Sequence, residues 1–211
     1  MVNVLVLIPQ TRDYERSIAS VNALDEGQHD VTRLWLRDGD RPDRTPWQNL
    51  LAKERRARDV FLSGGYDLYL QIEDDVIVPP DLLLGLESVG ADIAYALIVA
   101  RHQHFWGPAV RLGPGDGGLQ TFDSLPDVRR AVWGRVVPCM GCGLYATLIR
   151  RPVLERLNFE LRGSRASDWY LAQDAHAAGF TQMAHMGLLC GHIDGERVLW
   201  PDPNGYRVEA L

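Results

Sequence analysis

Tyr66-Asp-Leu-Tyr-Leu-Gln-Ile-Glu-Asp-Asp-Val-Ile-Val-Pro-Pro-Asp81 is the stretch whose reading decides the fold. Leu68 to Ile72 is a short, mostly apolar run, the pattern of a strand buried on both faces. It runs straight into three carboxylates, Glu73, Asp74 and Asp75, and then into two prolines that open a helix ending near Gly90. In open α/β sheets, ligands bind beyond the carboxyl ends of the strands. Three adjacent carboxylates repel one another unless solvent or a cation screens them. Hard cations such as magnesium and manganese prefer oxygen ligands of this kind. A metal site and an acidic surface turn are therefore the two readings of the triplet.

Working outward, Val2 to Ile8 is a β-branched apolar strand ended by Pro9, and Tyr14 to Leu24 suits a helix. Val31 to Leu36 forms a second strand that closes in the polar turn Arg37-Asp-Gly-Asp40. A helix is expected from Pro46 to Ser63, with Pro46 in its first turn and Gly64-Gly65 at its stop. Beyond the triplet, Ala91 to Val99 is another strand. This alternation predicts an α/β domain with a mostly parallel sheet covered on both faces. From His102 to Val132 the pattern weakens into loops with short strands. A strand from Val136 to Ile149, interrupted by Gly141-Cys-Gly143, comes next, then helices from Pro152 and from Ser167 to Ala178. Thr181 to Leu189 is expected as the last strand, and Gly191 to Leu211 as an irregular tail.

With 211 residues, 46% hydrophobic and 24% charged, the chain suits one ordinary globular domain. No apolar run reaches the roughly 18 residues of a membrane span, and the first residues lack a basic leader, so the expectation is a cytoplasmic protein without stable membrane insertion. The net charge of −6 argues against general phosphate-backbone binding, although arginines cluster at Arg55, Arg56 and Arg58 and at Arg129, Arg130 and Arg135. The three cysteines leave one rival open: Cys139 and Cys142, with Cys190 and His192, have the spacing of a zinc set that would stabilise a non-catalytic binding module.

Taken together, the motifs resemble those of GT-A glycosyltransferases, especially the family-2-like group. The stretch from Tyr66 to Asp81 resembles that family's DxD region, with Glu73 in the first acidic place, where aspartate is commoner, and Asp75 in the second. Val4-Leu-Val-Leu-Ile-Pro-Gln-Thr11 looks like its first strand and nucleotide-facing turn. Pro138-Cys-Met-Gly-Cys-Gly-Leu-Tyr145 is similar to its glycine-bearing sugar-site segment. Ser167-Asp-Trp-Tyr-Leu-Ala-Gln-Asp-Ala-His-Ala-Ala-Gly-Phe180 resembles its acidic helix, with Ser167 standing where glutamate is usual.

The resemblance implies a GT-A (Rossmann-like) three-layer sandwich over residues 1–193, with residues 194–211 as a tail on or near the active site. It implies a nucleotide-sugar donor, a UDP-sugar, and Mn2+ or Mg2+ as cofactor. The metal ligands would be Glu73, Asp75 and His192. The donor would be held by Pro9, Thr11, Asp38, Lys53, Arg56, Asp74, Gly141 and Gly143. Asp168 would be the catalytic base of an inverting transfer to a saccharide or a modified, hydroxymethylated DNA base. Asp168 also reads as a helix N-terminal residue favoured by the dipole, and Trp106 and Trp133 read as acceptor platforms or as core. A nucleotidyltransferase would carry a glycine-rich loop after strand one, and Pro9-Gln-Thr-Arg-Asp13 has no glycine.

Overall fold

A computed structural model describes residues 1–37, 41–101, 104–112, 119–122, 126–162 and 166–211. The first half of the chain alternates as the sequence predicts. It contains β1 (Asn3–Pro9), α1 (Glu15–Asn22), β2 (Asp30–Leu36), α2 (Pro46–Ser63), β3 (Leu68–Ile72), β4 (Val76–Ile77), α3 (Leu82–Ser88) and β5 (Ile93–Leu97). Helix α2 begins where local chemistry dictates: Thr45 and Gln48 form a reciprocal capping box, and Pro46 occupies the first turn. The second half adds β6 (Ala109–Leu112), β7 (Leu119–Thr121), α4 (Pro126–Val132), β8 (Val136–Pro138) and β9 (Ala146–Arg150). It continues with α5 (Arg151–Arg156), α6 (Ser167–Ala177), β10 (Gln182–Leu189), β11 (Gly191–Asp194), β12 (Arg197–Asp202) and β13 (Gly205–Ala210).

The central sheet has the order β2-β1-β3-β9-β5-β10-β8. Strands β2, β1 and β3 run parallel, as do β5 and β10; β9 lies antiparallel between β3 and β5, and β8 is antiparallel at the edge. The protein is thus a mixed α/β fold with a mostly parallel central sheet. Because side chains alternate along a strand, β1 feeds two cores at once. Leu5 and Leu7 join Ala57 and Phe61 of α2, Val153 and Leu154 of α5, and Leu171 and Ala175 of α6. Val4, Val6 and Ile8 join Val21 of α1 and Leu82, Leu83 and Leu86 of α3. Burying one such aliphatic or aromatic side chain contributes about 1.5–3 kcal/mol, so continuous apolar strands anchor both faces.

Two sequence expectations are corrected. The stretch read as loops contains the helix α4. The C-terminal segment is not irregular: β11, β12 and β13 build a second antiparallel sheet in the order β13-β12-β11-β4. Two-residue turns, Gly195-Glu196 and Pro203-Asn204, close its hairpins, with Gly195 and the adjoining strand residue Gly205 at positive φ. Strand β13 is an edge strand with mostly exposed side chains, so it lacks the apolar periodicity of the central strands. Among the described residues no helix is long and apolar enough to cross a membrane.

Candidate functional site

The acidic triplet occupies the tight turn where β3 leaves the central sheet and β4 enters the second one. Backbone bonds fix that turn: Glu73 N donates to Tyr145 O (2.9 Å), and Val76 N donates to Glu73 O (3.1 Å). Strand β4 then pairs with β11 in a register that sets His192 opposite Val76, and Ile193 N donates to Asp75 O (2.8 Å). Sheet registration therefore brings His192 beside Asp75 across more than a hundred residues of sequence. Glu73, Asp75 and His192 each direct a ligand atom into one cluster whose atoms lie within 4.8 Å of one another.

Hydrogen bonding has left this cluster incomplete. His192 Nδ1 lies 2.8 Å from the carbonyl of Val99, which only accepts, so Nδ1 carries a proton and Nε2 is the ring atom turned into the cluster. That Nε2 stands 3.6 Å from Asp75 Oδ1, beyond hydrogen-bond distance. Both atoms are buried without a hydrogen-bond partner. The other oxygen of Asp75 meets the guanidinium of Arg101 at 2.7 Å. Burial pushes the Asp75 carboxyl up, but His192 and Arg101 more than offset it and hold it below its usual range. For Glu73 the balance goes the other way: burial, then Asp75, then Asp168 drive its pKa well above the ordinary value, and Arg101 opposes them only in part.

Next to the cluster opens a pocket with about 450 Å3 of empty space including its mouth, lined among others by Gly107, Gly141, Gly143, Tyr145, Asp168 and Trp169. Tyr145 forms the partition, its ring centroid 5.2 Å from that of His192. The glycines are required by the space. A Cβ on Gly143 would lie 2.1 Å from the Tyr145 ring, and one on Gly107 would lie 2.9 Å from Cys142 Sγ. Asp168 sits in the first turn of α6, half-buried, where the backbone N–H of Trp169 donates to its Oδ1 (2.6 Å). Burial raises its pKa to about 6 despite that bond. Its field reaches Glu73, Tyr145 and Cys142, so Asp168 and the carboxylate–histidine cluster share one electrostatic neighbourhood.

The remaining sequence-predicted residues divide. Asp74 turns to the β1–α1 connection, accepting from Thr11 N (2.5 Å), Thr11 Oγ1 (2.9 Å) and Arg12 N (2.7 Å). Asp74 and Thr11 therefore brace each other. Pro9 ends β1 opposite Leu36, and buried Lys53 donates from Nζ to the carbonyl of Gln10 (2.9 Å), supporting the same turn from α2. Arg56 lies exposed on α2, and Gly141 and Gly143 line the pocket. Asp38 lies outside the described residues.

Sequence reasoning missed Arg101, which pairs with Asp75, and Tyr145, which lines the pocket. Only Tyr145 carried a signal, as the last residue of the glycine-bearing segment. The zinc reading is corrected: Cys139 and Cys190 pack into opposite cores of the central sheet, and the cysteines do not join His192 in any ligand cluster among the described residues. All three are free thiols, and burial raises their pKa values, to about 12 for Cys139. Trp106 is fully buried, with Trp133 packed against it at 5.7 Å, so both serve the core.

No protein-family model and no curated protein sequence matches the chain. Among solved structures, the crystal structure of A197 from STIV is similar, with a TM-score of 0.61 at 16% identity. The match covers 100% of this chain and 94% of that one. At that identity the likeness is one of fold, and it includes the C-terminal strands as well as the central sheet.

Proposed function

We propose that this chain is a metal-dependent glycosyltransferase with a GT-A (Rossmann-like) three-layer sandwich. It moves a sugar from a UDP-sugar or related nucleoside-diphosphate sugar to an acceptor hydroxyl on a saccharide or a hydroxymethylated DNA base, with inversion. The observation that carries this reading is the meeting of Glu73, Asp75 and His192 in one cluster beside the pocket that holds Asp168.

The residues present fit a hard divalent cation. Two carboxylates and a histidine of fixed tautomer offer oxygen and nitrogen ligands, and the orphaned Asp75 Oδ1 and His192 Nε2 are atoms a cation would satisfy. Bound Mn2+ or Mg2+ would supply positive charge against the departing diphosphate. Arg101, ion-paired with Asp75, brings a second positive charge to the same place. On the pocket side, Asp168 takes the proton of the acceptor hydroxyl while its oxygen attacks the anomeric carbon. The new carbon–oxygen bond forms as the bond to the diphosphate oxygen breaks, and that electron pair leaves with the diphosphate. Attack opposite the leaving group inverts the anomeric centre. A carboxylate with a pKa of about 6 is ionised at neutral pH yet more basic than an exposed aspartate, as a proton acceptor needs. The small residues beside it leave room for a sugar ring.

The test is a panel of nucleoside-diphosphate sugars with and without Mn2+. At least one donor is expected to raise the melting temperature and to release its nucleoside diphosphate only with metal present. If every donor fails on both measures, the reading is wrong.

A further inference from the structure

Behind the pocket, α2, β3 and α6 are joined by a buried polar chain that the transfer chemistry above leaves unused. Glu54 of α2 is fully buried. Ser167 Oγ, at the first residue of α6, donates to Glu54 Oε2 at 2.5 Å, and Gln71 Nε2 of β3 donates to Oε1 at 3.3 Å. Gln71 is held in turn by the hydroxyl of Tyr69, which donates to its Oε1 at 3.1 Å. A carboxyl buried among apolar side chains is expensive unless it is hydrogen-bonded. Here its bonds end on the residue immediately before Asp168. Helix α6 has no side-chain cap from its own N-cap position, Ala166, so the Ser167–Glu54 bond is the side-chain tie described at that end.

We propose that Glu54 is a positioning residue for Asp168: through Ser167 it pins the first turn of α6, so that the Asp168 carboxylate is presented to the pocket. This rests on the assignment of Asp168 as the proton acceptor. The titratable and charged groups around Glu54 are Arg55 on its own helix, Tyr69 on β3, Glu73 at the end of β3 and Asp168 on α6. In that setting burial raises the Glu54 pKa to about 8, against the opposing bond from Ser167. At neutral pH the side chain is therefore the uncharged acid. It adds no negative charge behind Asp168, and in this form the short Glu54–Ser167 bond runs from the Glu54 O–H to Ser167 Oγ, an arrangement that a glutamine reproduces with Nε2 donating to Ser167 and Oε1 accepting from Gln71.

The experiment uses Glu54→Gln, Glu54→Ala and Ser167→Ala in the full chain with two readouts. The first follows the Asp168 carboxyl by 13C NMR titration of aspartate-labelled protein, its signal identified by loss in Asp168→Asn. The second separates kcat from the donor KM. Glu54→Ala and Ser167→Ala are expected to move the Asp168 midpoint down from about 6, as water reaches a loosened first turn. They should lower kcat about 10- to 100-fold with donor KM nearly unchanged, the scale of a small misplacement of a catalytic group. Glu54→Gln should keep the midpoint and retain kcat within about threefold. If Ser167→Ala, which leaves the carboxyl in place, changes neither readout, or if Glu54→Gln fails as badly as Glu54→Ala, the proposal is overturned. If no donor is turned over by the unmodified protein, the NMR arm still decides whether Glu54 positions Asp168, and the transferase reading falls separately.

Discussion

Two buried acidic regions lie a few side chains apart and solve the same problem in opposite ways. Around Asp75, negative charge is kept: Arg101 pairs with one oxygen, His192 faces the other, and the carboxyl is held below its usual pKa. Around Glu54, negative charge is removed: the carboxyl is buried, hydrogen-bonded and raised to about 8. Asp168 lies between them with an intermediate value of about 6. Environment rather than residue type assigns the roles, since all are ordinary carboxylates. One side keeps a negative charge beside a cation, and the other places no second anion behind Asp168.

The largest effect expected from breaking this contrast is at Asp168. Asp168→Asn keeps size and removes proton-accepting capacity, so transfer should fall about 10²- to 10⁴-fold, the range of a general base. Donor binding and melting temperature should change little, because no cation ligand is touched. Steady-state kinetics with a donor-binding titration checks this. Weakened donor binding with full turnover would reverse the roles of the two regions.

A smaller effect is expected on the charge-retaining side. Asp75→Asn removes the carboxylate whose charge the cluster best retains and takes from Arg101 its ion-pair partner. Mn2+ affinity, read by electron paramagnetic resonance of the free ion, should fall at least about 100-fold, the upper end of what losing even an outer partner of a ligand costs. Unchanged affinity would mean that the orphaned atoms of Asp75 and His192 are not a cation site.

The two regions were unequally legible. The triplet and its place at a strand end followed from the apolar run Leu68 to Ile72, because a strand buried on both faces prints its whole length in the sequence. Asp168 was legible as the start of a helix stopped by Gly179. His192 was placed correctly after β10, yet the strand carrying it was missed, since β11 is only four residues long and its partner β4 only two. Glu54 left no trace: Lys53-Glu-Arg-Arg56 has the composition of a solvated helix face, and only the arrival of β3 and α6 buries its first two residues. Burial of a charge is a tertiary property without a local period. For the same reason Cys139 and Cys190 looked like partners in sequence, while the sheet keeps them in separate cores.

The last prediction separates the two regions by pH, and its effect is the smallest. A base with a midpoint of about 6 is about one-tenth ionised at pH 5, whereas an aspartate with the ordinary value near 3.9 is about nine-tenths ionised there. Because the pKa is raised, the reactive form is present above the midpoint and disappears below it. The turnover rate at saturating donor and metal should therefore fall roughly tenfold per pH unit below about 5.5 and be nearly flat from about 7 to 8. Ligand carboxylates would also release a cation on protonation, so Mn2+ occupancy is measured at each pH. If occupancy holds while turnover falls, the limb belongs to Asp168. If both fall together, it belongs to Glu73 and Asp75, and the raised pKa of Asp168 does not govern the rate.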